Sequence, residues 1–318
     1  MHIFQNPAGD GTIYFDNLLA PENIPVAYDP VAREFVAEAL FCKNRELIGC
    51  NWVATGPDAL CVSCAMTAMS PDASLPDAVE NWGKTEEAKR WVLDNLRQWG
   101  WFTDTDTGAR PIFHMLAEGV KPVVMGHHTG VVTINIDESD PVLRAERRED
   151  LGENYRTMIG HMRHEIAHML WWRLSISTTF LTEFRALFGD EQADYGVALK
   201  KHYADGPPLD WQDSYLTPYA SSHPHEDWAE TTAHMLHLID IADSFLATNL
   251  SAPHAPKGGW DPYKEPNGDK LTTFAAELTI KINHVNRSMG LADLYPFVLT
   301  DKSRKKLSFV HRWLFQGP

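Results

Sequence analysis

The sequence has no long apolar run: no stretch approaches the ~18 residues of a membrane-spanning helix. Residues 1–7 (MHIFQNP) show neither the basic nor the apolar region of a secretory signal. A cytoplasmic protein without a membrane partner is therefore expected, with non-classical export left open. Basic charge is scarce, with 28 Lys and Arg against 43 Asp and Glu and a net charge of −15. That balance argues against a broad phosphate-binding surface, so no nucleic-acid partner is expected. Repeats and low-complexity segments are absent, and Gly and Pro, at 20 each, are in ordinary supply. Cysteine is missing from everything after residue 64. What remains is a soluble globular composition whose 318 residues suggest about two domains on a prior of roughly 150 residues each.

The four cysteines, Cys42, Cys50, Cys61 and Cys64, follow the pattern C-x7-C-x10-C-x2-C. A disulfide-stabilised secreted protein would spread them along the chain. The closing C-x-x-C can form a tight turn that presents two thiolates to one tetrahedral metal, so a structural zinc site is expected. Four ordinary reduced thiols are the alternative. A redox pair is a weaker one, because no βαβ pattern surrounds it. Acidic residues outnumber basic ones nine to three over residues 1–75. Such a module would repel phosphates, which favours a structural or protein-contact role.

Residues 1–75 read as short segments broken by Pro and Gly, and Pro71, Asp72, Ser74 and Pro76 suggest a boundary before a second domain over 76–318. Helical spacing of Ala88, Val92, Leu96 and Trp99 predicts a helix over Thr85–Trp99, with Thr85, Glu86 and Glu87 at its start and Gly100 as its stop. Residues 130–136 (GVVTINI) alternate as a strand, with Val132, Ile134 and Ile136 on one face. A strong helix is predicted from Tyr155 to Leu174, with Met158, Met162, Ile166 and Met169 as its apolar stripe. Further helices are expected over Asp190–His202, from Pro224 to about Asn249, over Leu271–Met289 and over Thr300–Leu314. Pro207, Pro208 and the stretch Pro253–Pro266 read as loops.

The chemistry centres on His164, Glu165 and His168, an H-E-x-x-H. Positions i and i+4 share one helix face, so both imidazoles can reach one metal ion, and Glu165 lies slightly around the helix. Two solvated surface histidines are the alternative, opposed by Leu170, Trp171 and Trp172, which imply burial. A catalytic zinc needs a third protein ligand and an open fourth position. The metzincin extension would place Gly at position 171 and His at 174; Trp171 and Leu174 exclude it. A second helix offers Glu226 and Glu230, one turn apart on the face of His234 and His237. Glu226, in the first turn at the open end, is favoured as the ligand, with Glu230 as acceptor for a ligand imidazole N–H. Glu230, Asp227 or a histidine remain alternatives as the ligand. His161 would close the site as a fourth ligand, so a supporting or packing role is expected. His223, His225, His234 and His237 are expected on the helix surface or behind the ligands.

These segments resemble the bacterial zinc-binding metallopeptidases in which zinc-ribbon elements precede a gluzincin-like domain. The resemblance spans nearly the whole chain. It rests on Cys50-Asn51-Trp52, the Cys61–Cys64 pair, GVVTIN (130–135), GENYRTMIGHMRHEIAHMLWWRL (152–174), FRALFGDEQADY (184–195) and YASSHPHEDWAET (219–231). Members often begin with a further four-cysteine ribbon, and no cysteine stands in the corresponding stretch here. The Tyr219–Glu226–Glu230 spacing is also similar to that of lethal-factor-type zinc proteases. That resemblance, and not spacing alone, singles out Tyr219.

The resemblance implies an α+β, zincin-like domain, mostly helical with a small sheet, behind a zinc-ribbon-like module. It implies a metallopeptidase with one catalytic Zn²⁺ held by His164, His168 and Glu226, and a structural Zn²⁺ on the four cysteines. Glu165 is the expected general base, and Tyr219 the donor to the oxyanion. A peptide or protein substrate is expected, and the strand at 130–136 is a candidate sheet edge for pairing it. GDEQADY (189–195) reads as a helix start rather than a calcium loop. A silent interaction module of the same fold is the alternative, opposed by the intact Glu165. Oligomeric state has no signature in the sequence.

Overall fold

The computed structural model describes residues 3–119, 122–151, 157–250, 252, 255–256 and 259–318, without the side chains of 148–151. The expected helix start at Tyr155 and part of the expected 253–266 loop lie outside the described residues. The chain divides into two compact units, residues 1–97 with 110–162, and residues 98–109 with 163–318.

The first unit begins with three two-stranded antiparallel pairs. These are β1 (Phe4–Gln5) with β2 (Thr12–Ile13), β3 (Leu19–Ala20) with β4 (Ile24–Pro25), and β5 (Ala27–Asp29) with β6 (Glu34–Val36). Such short ribbons cannot bury a core alone. Aromatic rings supply it: Tyr28 meets Phe4, Phe15 and Phe35 at centroid distances of 5.0–5.5 Å. A short helix α1 (Arg45–Ile48) ends at Gly49, whose φ of +65° is a left-handed cap that turns the chain into Cys50. Strand β7 (Thr67–Met69) then leads to helix α2 (Ala78–Arg97).

Helix α2 starts seven residues before the expected Thr85. Thr85 is no cap: its buried hydroxyl donates to Asn81 O one turn back, inside the helix. Nor is Glu86 a solvated first-turn acid. It is fully buried, accepts from Thr67 Oγ1, and pairs with the equally buried Lys89 at 2.7 Å. Asp94, also buried, accepts from Tyr28 Oη at 2.7 Å and so ties α2 to the ribbons.

Strands β8 (Ile112–Leu116), β9 (Gly126–His128) and β10 (Val131–Asn135) join β7 in one sheet of order β7-β8-β10-β9. Val132 and Ile134 pair in parallel register with Phe113 and Met115, and all four are buried. The expected alternation therefore holds, but the expected edge does not. β10 is internal, with β8 on one side and β9 pairing antiparallel to Val131–Thr133 on the other. Its backbone groups are already engaged over those residues, so the edge role does not fall to β10. Helix α3 (Pro141–Leu151) follows, and the boundary between the units falls inside α4 (Met158–Leu174).

The second unit is helical: the rest of α4, then α5 (Thr178–Phe188), α6 (Tyr195–Asp205), α7 (Pro224–Ala247), α8 (Gly268–Ser288) and α9 (Asp301–Phe315). Helix α5 had no sequence-based expectation, although Phe180, Phe184 and Phe188 recur at four-residue steps. Those three rings pack with Trp228 of α7 and Phe309 of α9. Helix α6 begins five residues after the expected Asp190. Asp190 closes a turn by accepting from Gln192 N, and Asp194 caps the helix by accepting from Val197 N. Trp228 Nε1 donates to Ala167 O at 2.8 Å, which fixes α7 against α4. Among the described residues, no helix is long and apolar enough to cross a membrane.

Lys89→Met should destabilise the first unit by about 3–5 kcal/mol, because it strands a buried carboxylate. Combining it with Glu86→Leu should recover most of the loss. Urea denaturation of the single and double variants measures both.

Candidate metal centre

His164 and His168 stand one turn apart on α4 and project from the same face. Glu226, in the first turn of α7, comes between them. Its Oε2 lies 3.0 Å from His164 Nε2 and its Oε1 3.6 Å from His168 Nε2, while the two Nε2 atoms are 3.2 Å apart. Four ligands at ~2.0–2.1 Å around a tetrahedral ion would lie about 3.3 Å from one another. The three side chains match that spacing and could hold one metal ion. Glu226 is 1% exposed, and its Oε2 makes no aligned hydrogen bond. A buried oxygen of that kind beside two imidazole nitrogens is a donor set for a cation.

Glu230 sits one turn along α7, and its Oε1 is 2.7 Å from His164 Nδ1. A carboxylate there selects the tautomer with the proton on Nδ1 and turns Nε2 towards Glu226. Burial opposes charge on His164, but Glu226 and Glu230 outweigh it and hold the imidazole well above its ordinary pKa. Burial likewise opposes charge on Glu226, and the His168 and His164 rings outweigh it, holding that carboxyl well below the usual range.

Glu165 is buried at 7% exposure; burial first, then the charge of Glu226, raises the Tyr195 hydroxyl, and the charge of Glu165 adds to it. The Tyr219 ring lies 6.1 Å from that of His164. Burial first, then the charge of Glu226, raises the Tyr219 hydroxyl far above its ordinary pKa, so it stays a proton donor. His161 takes a different partner: its Nε2 is 3.5 Å from Glu138 Oε2. It is a charge neighbour of that carboxylate and supports no ligand imidazole of α4 by hydrogen bond.

The remaining histidines of α7 divide into two groups. His223 caps the helix, its Nδ1 accepting from His225 N. His225 packs its ring on Trp171 at 4.2 Å. His234 and His237 are buried, not on the helix surface, because α7 is enclosed along most of its length. His234 Nδ1 is 2.8 Å from Tyr295 Oη, and His237 Nδ1 meets the Arg163 guanidinium, which also donates to Asp240. Asp227, the other candidate carboxylate, faces away from the imidazoles and pairs with Lys306 at 2.5 Å. Tyr195 is the site residue that sequence reasoning missed. Its Oη donates to Glu226 Oε1 at 2.8 Å. A tyrosine 31 residues from its partner, on another helix, carries no local signal.

In the first unit, Cys42, Cys50, Cys61 and Cys64 are buried and unbridged. Cys50 Sγ lies 3.6 Å from both Cys61 Sγ and Cys64 Sγ. A tetrahedral zinc with ~2.3 Å bonds would space its sulfurs about 3.8 Å apart. Cys61 N and Cys64 N donate to Cys42 Sγ and Cys61 Sγ, both at 3.3 Å, as backbone amides do to thiolates. Sulfur hydrogen bonds, that from Cys50 first, pull the Cys42 thiol down, while Cys42 pushes Cys61 and Cys64 up. The buried Arg90, with Nη2 3.5 Å from Gly49 O, adds positive charge beside Cys50. The four sulfurs could hold a second ion.

A family model described as "Putative zinc-binding metallo-peptidase" matches residues 78–313. The chain belongs to this family. The matched segment contains both helices of the histidine and carboxylate cluster and leaves out the four cysteines. The chain is also similar to uncharacterized proteins of Mycobacterium bovis and of two Mycobacterium tuberculosis strains. Each is 37% identical over 284 residues, covering 86% of this chain and 82% of the relative. No solved structure matches the chain significantly.

The buried histidines give this metallopeptidase-family chain an acid-side liability. Burial holds His234 down at about 4, against 6.5 for a free imidazole. A depressed folded pKa contributes stability that is present above pH ~6.5 and is lost as pH falls towards ~4, about 3 kcal/mol in all. His237 is shifted the same way. The stability gap between wild type and His234→Gln, both in excess chelator, should shrink by about that amount between pH 7 and pH 4. Urea midpoints measured across the range check it.

Proposed function

We propose that this chain is a zinc-dependent metallopeptidase of the gluzincin type, with a zincin-like α+β fold over residues 76–318 and a zinc-ribbon-like module over residues 1–75. The observation that carries the reading is the convergence of His164, His168 and Glu226 at tetrahedral spacing, with Glu230 behind His164. In this reading the three side chains hold the catalytic ion, and the four cysteines hold a structural one. A zinc ion supplies Lewis-acid chemistry, polarising a carbonyl and making water more acidic.

The protein's own groups do the rest. Glu165 takes the proton of the attacking water and returns it to the leaving amine. Glu230 holds the His164 ring against rotation. Tyr219 donates to the carbonyl oxygen as that atom gains charge, an interaction worth about 10²–10³ in rate. The substrate class is peptide or protein.

Metal analysis of the pure protein should give two zinc equivalents. Glu165→Gln should keep both and lose about 10²–10⁴ of its turnover, since an amide cannot accept the proton. Glu226→Ala should fall to one equivalent. Cleavage profiling of a cell extract, wild type against Glu165→Gln, reads the activity without a known substrate. Identical profiles would point instead to a zinc-binding interaction module without turnover. One equivalent in both wild type and a Cys61→Ser, Cys64→Ser variant would remove the structural zinc.

A further inference from the structure

We infer that Tyr195 is a positioning residue of the metal centre, whose phenol holds the Glu226 carboxylate against rotation beside the two histidines. This rests on the reading that His164, His168 and Glu226 hold zinc. Glu226 Oε1 accepts from Tyr195 Oη at 2.8 Å. Oε2 lies 3.0 Å from His164 Nε2 and has no aligned hydrogen bond. Each oxygen therefore faces one imidazole, Oε2 that of His164 and Oε1 that of His168 at 3.6 Å, and Oε1 is in addition held by a phenol. A hydrogen bond to an ionised carboxylate is of the strong, charge-assisted kind, so it resists rotation of the group.

Packing of α6 does not explain why Tyr195 points there. The helix buries none of its residues, and Tyr195 itself is 44% exposed. A second tie fixes its start. His223 Nε2 lies 3.0 Å from the Ala193 carbonyl, and His223 Nδ1 accepts from His225 N at 3.1 Å. A carbonyl can only accept, so Nε2 carries the proton and Nδ1 is bare; one neutral tautomer satisfies both bonds. The His223 ring also packs edge-on against Tyr195, with centroids 5.2 Å apart. The residue that caps α7 thus holds both the backbone before Tyr195 and its ring, three residues ahead of the carboxylate that Tyr195 grips.

The test is zinc affinity at this site, read by competition with a chromophoric chelator with the cysteine site kept filled. Tyr195→Phe keeps the ring and its packing and removes the hydroxyl alone. It should weaken zinc by about 10–100-fold, the usual cost of losing a partner behind a metal ligand. Tyr219→Phe, which removes no bond to the ligand, should leave affinity unchanged. In cobalt(II)-substituted protein, Tyr195→Phe should also alter the visible absorption bands as the Glu226 carboxylate becomes free to rotate. Wild-type affinity and an unaltered cobalt spectrum in Tyr195→Phe would overturn the inference. Glu226→Ala separates this from the wider reading: if it retains the zinc of wild type, the ligand set is wrong and the inference falls with it. If it loses one equivalent while Tyr195→Phe binds normally, the tyrosine's role alone is wrong.

Discussion

Two carboxylates one turn apart on α7 face an imidazole pair one turn apart on α4, and the second unit is organised to keep them there. A carboxylate as buried as Glu226 is costly unless charge or a donor answers it. His164, His168 and the Tyr195 hydroxyl do so on one side of the helix. The next residue, Asp227, is as deeply buried and takes Lys306 on the other side. Adjacent residues on a helix point about 100° apart, so α7 can place two acids in two separate environments without their competing for one cation.

Rigidity comes from the apolar side of the same helix. Trp228 lies between the two acids and Glu230 in sequence, but its indole turns inward. It donates to Ala167 O and is walled by Phe180, Phe184, Phe188 and Phe309. Ala167 precedes His168, so the bond that locks the helices is one residue from a candidate ligand. A metal site needs its ligand atoms held within a fraction of an ångström, and supporting residues set that tolerance. The aromatic cluster has a structural task that the chemistry depends on.

The cysteine cluster solves a different problem. Residues 1–75 form two- and three-residue strands, too short to be stable as isolated ribbons. Aromatic contacts around Tyr28, the bond from Tyr28 to Asp94 of α2 and four converging thiols compensate. Gly49 is required at one point, where its positive φ ends α1 and aims Cys50 at the other sulfurs.

Much of this was legible in the residues themselves. The i, i+4 spacing of His164 and His168 sets a common face on any helix, and the Glu226–Glu230 spacing does the same for α7. The period-2 pattern correctly marked Val132 and Ile134 as the buried face of a strand, although the strand ends at Asn135 and the buried Ile136 opens a short 3-10 turn. The four cysteines could be grouped by their clustering alone. Local pattern failed where a tertiary partner overrode it. Thr85 and Glu86 look like a helix start, yet they sit in mid-helix because Lys89 and Thr67 supply the partners that let a carboxylate be buried. β10 reads as a strand from its pattern alone, but its internal place was decided by pairing with β8 on one side and β9 on the other, which that pattern does not encode. His161 shares the helix of the ligands but is turned to Glu138. Tyr195 reaches Glu226 from a helix whose sequence shows only a cap and an exposed face. The sequence by itself determined the residue types and the faces they share, because helix and strand periodicity are properties of the backbone. Which groups hold Glu226 beside the histidines was decided by tertiary structure, because hydrogen bonds between distant segments exist only once the chain has folded.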